Sequence, residues 1–359
     1  MQKSLVISLV LGIFLSSITL YFAFRNVPFG DLMHYLRSIN YFWVIPSVGI
    51  FLVSFVLRVV RWQVILSSTR NIGFWRAFHP LMIGFMMNCV LPGRVGEMAR
   101  PLILKKNDNV PFTTGLATVA AERIFDVSMI IFFFAAVLAT VRIDPNLMIN
   151  FGKYTLNRDT LFAISSGMLK MCILLVMGIV VISIERTRNL LAKAIMGIPR
   201  LFFFADTAFR EKISEKVSKL LIRILENIAA GFSLVRHPGK ISSCFALSFI
   251  IWSFQALSFY ILAIGCPGIE LSYLELFAVL IITCFFIALP SVPGFWGLWE
   301  AGGVFALSLF GVSSQNAAGF TLVNHVVQMF PVIFIGLASA MITGVNILQV
   351  STQKMDANE

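Results

Sequence analysis

The sequence predicts an all-α polytopic membrane protein with about six full spans and two broken or re-entrant helical hairpins. Hydrophobic residues make up 58% of the 359 residues and charged residues only 13%, whereas about a quarter of a soluble domain is charged. Six apolar segments reach the roughly 20 residues that a helix needs to cross a bilayer. Two further apolar segments are short or interrupted by glycine and proline, which is typical of helices that turn back or break inside a membrane.

The six segments are taken in chain order. The first follows Lys3, is long for a signal-peptide core and precedes no A-x-A cleavage pattern, so we expect it to be retained. The six predicted spans are residues 5–24, 41–60, 115–141, 160–184, 244–264 and 317–345. The interrupted segments are 78–91, which runs into Pro92-Gly93, and 274–289, which runs into PSVPGFWG and continues as 298–310.

The net charge of +11 orients these spans. Lysine and arginine mark cytoplasmic loops, and the longest polar stretch, 185–243, is strongly basic and contains a predicted amphipathic helix from Thr207 to Val235. If this stretch is cytoplasmic, the loops 61–76 and 93–112 and both termini are cytoplasmic too. The basic residues lie between apolar spans, so we expect no nucleic-acid partner.

We therefore expect a single membrane domain, residues 1–359, with two similar halves. Residues 41–141 form the first half and residues 244–345 the second half. The remaining segments are 1–40, a first span and outer loop; 142–243, an outer loop, a linking span and the basic cytoplasmic segment; and 346–359, a cytoplasmic tail.

The two halves share a motif. P-G-x-x-G followed by a glutamate begins at Pro92 and again at Pro293, and about thirty residues further each half has a polar triplet, in ERIFD and in NHVVQ. The members of a triplet occupy positions 0, 1 and 4, which lie within about 100° of arc on a helix. Because the two units have opposite predicted orientations, they predict an inverted-topology repeat, a common transporter architecture.

The candidate substrate-binding or transport residues come from these hairpins and triplets. A charge at the bilayer centre costs at least about 2.5–3.5 kcal/mol, so the carboxylates should face protein or a wet cavity and pair with arginines. Such a cluster could be a structural ion-pair network, a site that handles substrate or protons, or both. The candidates are Pro92, Gly93, Arg94, Gly96, Glu97, Arg100, Glu122, Arg123 and Asp126 in the first half, and Pro293, Gly294, Gly297, Glu300, Asn324, His325 and Gln328 in the second.

No cofactor or metal is expected. The five cysteines are scattered and form no C-x-x-C pair, and the four histidines have no ligand spacing. No G-x-x-x-x-G-K-[ST] motif occurs, which argues against intrinsic ATP drive.

The segments LPGRVGEMARPLIL, ERIFD and PSVPGFWGLWEAG followed by LFGV resemble the flippase-like membrane domain of lysylphosphatidylglycerol synthases. That domain also occurs in stand-alone integral membrane proteins, and the resemblance covers roughly residues 10 to 345. It implies an inner-membrane protein that moves a polar or anionic lipid between leaflets, or acts in envelope lipid or glycan synthesis. No soluble aminoacyl-transferase domain follows the last predicted span, so we do not expect the chain to be an enzyme that makes lysyl-lipid.

The second triplet departs from the family, in which it usually resembles Tyr-Arg-x-x-Thr. Here it is Asn324-His325-x-x-Gln328, which puts anion binding in the second half in doubt. His325 could instead titrate near neutral pH.

Four functions remain open. The first is a lipid translocase, in which the turns Pro92–Arg100 and Pro293–Glu300 form two ends of a headgroup path, Arg94 and Arg100 bind phosphate, and Trp296 and Trp299 suit the interface. The second is a proton-coupled secondary transporter of a small solute. The third is an intramembrane transferase with a carboxylate base, for which no nucleophile–base pair can be placed. The fourth is a scaffold for an envelope-synthesis enzyme.

Overall fold

The protein is described by a computed structural model, which confirms the all-α class. The described residues are 13–14, 16–21, 23–25, 27–91, 94–140, 149–151, 154–156, 166–167, 170, 177, 181, 185–201, 222, 226, 237–288 and 293–347. The helices are α1 (Phe29–Ser38), α2 (Val44–Leu66), α3 (Phe74–Val90), α4 (Gly96–Asp108), α5 (Phe112–Thr140), α6 (Glu185–Leu201), α7 (Pro238–Ile264), α8 (Tyr273–Ile287), α9 (Leu298–Ser308) and α10 (Ser314–Thr343). Short 3-10 helices cover Tyr41–Trp43 and Pro293–Phe295, and a small antiparallel pair joins strands β1 (Ile149–Phe151) and β2 (Tyr154–Leu156).

Three helical segments of the described chain are long and apolar enough to cross a membrane, judged by length and composition. They are Tyr41–Leu66, Pro238–Ile264 and Ser314–Thr343, at three of the predicted spans. Helix α5, with 29 residues, occupies the predicted span 115–141. Only parts of the segments 5–24 and 160–184 are described, so the count of six spans stays a prediction. The predicted amphipathic helix Thr207–Val235 lies almost wholly outside the described residues.

Both interrupted segments form helical hairpins. In the first, α3 packs on α4, and in the second, α8 packs on α9. Helix α4 has 13 residues and α9 has 11, so at 1.5 Å per residue they extend roughly 20 Å and 17 Å, less than the roughly 30 Å of a hydrocarbon core. Of the hairpin tips, Pro92, Gly93 and residues 289–292 lie outside the described residues.

Glycine allows the two helices of the first hairpin to touch through their backbones. A Cβ atom on Gly96 would lie 1.8 Å from the carbonyl oxygen of Gly84, and one on Gly84 would lie 2.4 Å from Cγ of Arg100. Neither position has room for a side chain. This contact fixes how α4 crosses α3, and with it where the Arg100 side chain enters the protein.

The same order of helices occurs twice: α2 to α5 in the first half and α7 to α10 in the second, each long, short, short, long. The two leading helices pack antiparallel. Ser47, early in α2, donates to the carbonyl oxygen of Ser258, late in α7, at 2.8 Å, whereas Arg61, late in α2, donates to Ser248, earlier in α7, at 2.7 Å. An inverted repeat requires this antiparallel relation, but the direction of each half across the membrane stays a prediction.

The structure corrects the predicted loop at 61–76. Helix α2 continues to Leu66, and the turn before α3 covers only residues 67–73. Arg61, assigned to that loop, lies inside the protein and is 1% exposed. Charge alone suggested a loop, but acidic side chains on α5 compensate the charge of Arg61, so the apolar residues around it continue the helix.

Candidate functional site

The charged candidates of the first half meet where hairpin α3–α4 packs on α2 and α5, a region called here the first junction. Glu122 of α5 accepts from Nη2 of Arg100 of α4, with Oε2 at 2.5 Å, and its Oε1 lies 3.7 Å from Nη2 of Arg61. Asp126, one turn further along α5, accepts from Nη1 of Arg61 at 2.8 Å. The side chains of these four residues are at most 5% exposed, so the network is a buried ion-pair cluster.

A third buried arginine, Arg58, joins the first junction from one turn earlier on α2. Its Nη1 lies 3.5 Å from Oδ2 of Asp126, and its Nη2 donates to Gln255 of α7 at 2.8 Å. Aromatic rings cover the Arg58 guanidinium, with Phe85 and Trp252 centred 5.7 and 5.8 Å away. Such cation–π contacts partly replace the hydration that a buried cation loses.

The first junction carries more positive than negative buried charge. Among the described residues, three buried guanidinium groups face two buried carboxylates, which leaves one positive charge in excess there. The Nε atoms of all three arginines also have no hydrogen-bond partner among the described residues. The buried arginines are Arg58, Arg61 and Arg100, and the carboxylates are Glu122 and Asp126.

The accessible edge of the first junction is the pair formed by Arg123 and Glu97. Nε of Arg123 lies 3.3 Å from Oε1 of Glu97, and its Nη1 lies 3.3 Å from Oδ2 of Asp126. The side chains of Arg123 and Glu97 are 35% and 27% exposed. This edge of the first junction therefore reaches the protein surface, whereas the buried ion pairs do not.

Arg94 does not join the Glu122 cluster. It lies exposed at the tip of the first hairpin, in the left-handed region with φ of 54°. Its Nη2 donates to the carbonyl oxygen of Ile287 at 2.9 Å, and its guanidinium lies 6.0 Å from the ring centre of Phe295. Both contacts are to the second hairpin, so Arg94 joins the two tips.

A second junction forms where hairpin α8–α9 packs on α10. Nδ1 of His325 lies 2.6 Å from Oε1 of Glu300, and Nε2 lies 2.7 Å from the carbonyl oxygen of Gly294. The other Glu300 oxygen accepts from the amide of Gly297 at 2.7 Å. A carbonyl can only accept, so Nε2 carries a proton, and the Glu300–His325 bond holds a second proton between two fully buried groups.

Trp296 and Trp299 pack against His325. The Trp299 ring stacks on the imidazole at 4.8 Å between ring centres, and the Trp296 ring centre is 4.4 Å away. The sequence suggested that these tryptophans suit the membrane interface, but it did not predict their contact with His325. Gly294 and Gly297 adopt φ of 72° and 87°, a region that favours glycine, and this turn after Pro293 aims a carbonyl and an amide at the pair.

The two junctions use equivalent positions of the sequence repeat. In the first half the motif glutamate, Glu97, pairs with the second member of the triplet, Arg123. In the second half the motif glutamate, Glu300, pairs with the second member of its triplet, His325. Each half therefore ties its hairpin to its last long helix by the same acid–base link.

The other triplet positions of the second half are neutral. Gln328 donates through Nε2 to Ser258 of α7 at 3.2 Å, and its Oε1 has no hydrogen-bond partner among the described residues. The amide oxygen and nitrogen of Asn324 likewise have none there, although this side chain is 1% exposed. The second junction therefore contains polar atoms that are available to a ligand or to water.

Sequence reasoning missed the two arginines of α2. Arg58 and Arg61 are spaced i,i+3 within FVLRVVRWQ and so lie on one helix face. This spacing, at the end of a predicted span, was the available signal. Among the described residues, no three His, Cys, Asp or Glu side chains are grouped to hold a metal ion.

Known proteins are similar to this chain over most of its length. Residues 9–336 match the family model described as the lysylphosphatidylglycerol synthase TM region. A UPF0104 membrane protein of Pyrococcus horikoshii is 24% identical over 80% of this chain and 83% of its own length, and one of Methanothermobacter thermautotrophicus is 21% identical over 86% and 88%. No solved structure matches the chain.

One relative has a longer chain and an enzyme name. Glycosyltransferase AglD of Haloferax volcanii is 24% identical over 95% of this chain but only 55% of its own length. Because the family model spans nearly the whole sequence, the chain belongs to the family of lysylphosphatidylglycerol synthase transmembrane regions.

Proposed function

We propose that the protein translocates a polar or anionic lipid, or a lipid-linked headgroup, between the leaflets of the cell inner membrane. The observation that carries the proposal is the excess positive charge buried at the first junction, where, in the part of the chain that the structure describes, Arg58, Arg61 and Arg100 face two carboxylates. A buried cation in excess favours an anionic ligand, and arginine matches a phosphate group in geometry as well as in charge.

The headgroup would enter at the accessible edge of the first junction. A lipid phosphate there can replace Glu97 as the partner of Arg123, because that pair is partly exposed and therefore weak. Arg58 lies within reach of the same Asp126 carboxylate, so its charge attracts the phosphate further inward. The buried ion pairs keep the positive groups in place while the headgroup passes.

The two hairpin tips would act as the gate of this path. Arg94 holds them together by a hydrogen bond to the end of α8 and by its contact with Phe295. The Arg94 side chain is exposed, so a phosphate can compete for it. An anionic headgroup thus favours separation of the tips.

The test is a liposome assay with purified protein. It follows the accessibility of labelled anionic and zwitterionic lipids to an external quencher, for wild type, for Arg58→Gln and for Lys106→Gln. Arg58→Gln removes the excess charge, so transfer of the anionic lipid should slow at least tenfold. Lys106→Gln removes an exposed positive charge from the end of α4 and should leave transfer unchanged.

Three outcomes contradict the proposal. The first is that wild-type protein transfers no lipid, and the second is that a folded Arg58→Gln variant transfers the anionic lipid normally. If Arg58→Gln does not fold, the partly exposed Arg123→Gln takes its place, and normal transfer by that variant is the third. The rate of lipid transfer by Arg94→Ala tests only the proposed gate at the two hairpin tips.

A second candidate function follows from the relative named glycosyltransferase AglD, which matches 95% of this chain. We propose as this second function that the chain acts in lipid or glycan synthesis by handling a lipid-linked sugar for a separate enzyme. The same liposome assay with a labelled polyprenyl-phosphate sugar tests this. Transfer of that probe but not of phospholipids would favour the glycan role.

A further inference from the structure

A cavity of about 260 Å³ lies where α3 begins and where α4 and α10 end. It shares no lining residue with either junction. Its side chains are mixed in charge and include an aromatic ring. Residues that line it include Trp75, Arg76 and His79 from the start of α3, Asn107 and Asp108 from the end of α4, and Thr343 from the end of α10.

Asp108 is an unusual residue in this cavity. It is 5% exposed, and it ends α4, where the negative end of the helix dipole disfavours a carboxylate. Its Oδ1 lies 3.4 Å from Nη1 of Arg76, which is 74% exposed, and its Oδ2 has no hydrogen-bond partner among the described residues. A buried carboxylate oxygen without a donor is costly, so this atom is suited to a cationic donor that the cavity admits.

A second acceptor lies in the same cavity when the His79 ring carries its proton on Nε2. Nδ1 of His79 is buried and also has no hydrogen-bond partner within the described part of the chain. The His79 ring stacks on Trp75 at 6.0 Å between ring centres, and Trp75 is 65% exposed. A ligand cation can thus meet two acceptors and an aromatic face, which also attracts cations.

The helix ends give the cavity two poles. Nη1 of Arg70 already donates to the carbonyl oxygen of Asp108 at the end of α4. The carbonyl end of α10 is negative, and together with the Asp108 carboxylate it favours a cation. The amide end of α3 is positive, and Arg76 lies in its first turn and reaches solvent. A ligand that carries a cation and a phosphate a few bonds apart fits both poles.

We propose that this cavity binds a phosphoethanolamine group, a primary ammonium joined to a phosphate, as in the headgroup of a zwitterionic phospholipid. The ammonium has three N–H donors, two of which would go to Oδ2 of Asp108 and Nδ1 of His79. The phosphate pairs with Arg76, and Trp75 flanks the headgroup as tryptophan does at membrane interfaces. This site uses none of the residues of the proposed translocation path.

The test measures binding of short-chain phospholipids to the full-length protein in detergent micelles by isothermal titration calorimetry. Dihexanoyl-phosphatidylethanolamine should bind at least tenfold tighter than the phosphatidylcholine analogue, whose ammonium has no N–H donor. It should also bind at least tenfold tighter than the phosphatidylglycerol analogue, which has no cation. Asp108→Asn should weaken phosphatidylethanolamine at least tenfold, and Lys106→Gln, the matched control on the same helix, should not.

Two exposed positions keep the test decisive if Asp108→Asn does not fold. Trp75→Leu and Arg76→Gln should each weaken phosphatidylethanolamine severalfold without loss of folded protein. Equal affinity for all three lipids overturns the proposal, and so does unchanged phosphatidylethanolamine affinity in the folded variants. Soluble phosphoethanolamine is the last ligand tested. If the phospholipid binds more tightly than soluble phosphoethanolamine, the natural ligand is a lipid in the bilayer. If the two affinities are equal, the natural ligand is a soluble molecule.

The two proposals fail separately. Arg58→Gln changes the first junction and leaves every residue of this cavity in place. It should therefore lose lipid transfer and keep phosphatidylethanolamine binding. Loss of both in a folded Arg58→Gln protein would contradict the independence of the cavity.

Discussion

Glu122 is the candidate residue whose negative charge compensates two buried arginines. Arg100 approaches Oε2 to 2.5 Å and Arg61 approaches Oε1 to 3.7 Å. An intact buried ion pair adds little stability over an apolar replacement, but removal of one partner leaves a buried charge without compensation. The stability of the first junction is therefore most sensitive to single neutralising substitutions.

Glu122→Gln should destabilise the protein by about 3–5 kcal/mol, since Arg100 would lose its carboxylate partner and Arg61 would keep only Asp126. The measurement is the free energy of unfolding by chemical denaturation in detergent micelles. Glu97→Gln is the matched control, because the partly exposed pair of Glu97 with Arg123 contributes about 0–1 kcal/mol. Equal losses in the two variants would contradict the buried network described here.

At the scale of elements, the first hairpin depends on a backbone contact between α3 and α4. Gly84 and Gly96 approach so closely that a Cβ atom on Gly96 would meet the Gly84 carbonyl oxygen at 1.8 Å. This contact places Arg100 under the ring of Trp62, with its guanidinium 4.1 Å from the ring centre, and beside Glu122. A larger residue at the crossing would move the arginine with the helix.

Gly96→Ala should therefore separate the two helices and cost at least roughly 1–3 kcal/mol of unfolding free energy. Gly49→Ala is the control, since a Cβ atom there has nothing within 4 Å. Gly49 lies inside α2, so alanine should be neutral or stabilise by roughly 0.5–1 kcal/mol. If Gly96→Ala were as stable as Gly49→Ala, the close crossing of α3 and α4 would be refuted.

At the scale of the whole molecule, the two halves are built alike and differ in charge. Both tie the hairpin to the last long helix through a glutamate and a basic residue, Glu97 with Arg123 and Glu300 with His325. The first half adds Arg58, Arg61 and Arg100, whereas the described part of the second junction has a single acid–base pair among neutral amides. The proposed anion binding therefore rests on the first half, where the buried arginines lie.

The inverted topology can be tested directly. In a cysteine-free background, Lys106→Cys marks the end of the first hairpin, and Ser314→Cys marks the start of α10, just after the second hairpin. Both positions are exposed. An impermeant thiol reagent added to whole cells should label Ser314→Cys and not Lys106→Cys, because the halves are predicted to face opposite sides. Labelling of both or of neither would mean that the two hairpins open to the same side.

Several features followed from the sequence because they depend on local pattern. Apolar length predicted the long helices, and proline with glycine at Pro92 and Pro293 predicted the interrupted hairpins. The spacing of ERIFD and NHVVQ placed each polar triplet on one helix face, and the repeat paired Glu97 with Glu300 before any contact was known. The resemblance in these segments predicted the family that the comparison confirms.

Only the tertiary structure decided which charges meet. Arg58 and Arg61 lie about sixty residues from Glu122 and Asp126 in sequence, and no local pattern links them. Their pairing depends on how α2 packs against α5 and α7. Arg94 and Arg100 belong to the same motif, yet Arg94 contacts the second hairpin and Arg100 contacts Glu122. The two side chains diverge because the backbone at Arg94 turns into the left-handed region. Helix periodicity is local and can be read from a sequence, whereas burial of a charge depends on partners supplied by distant helices.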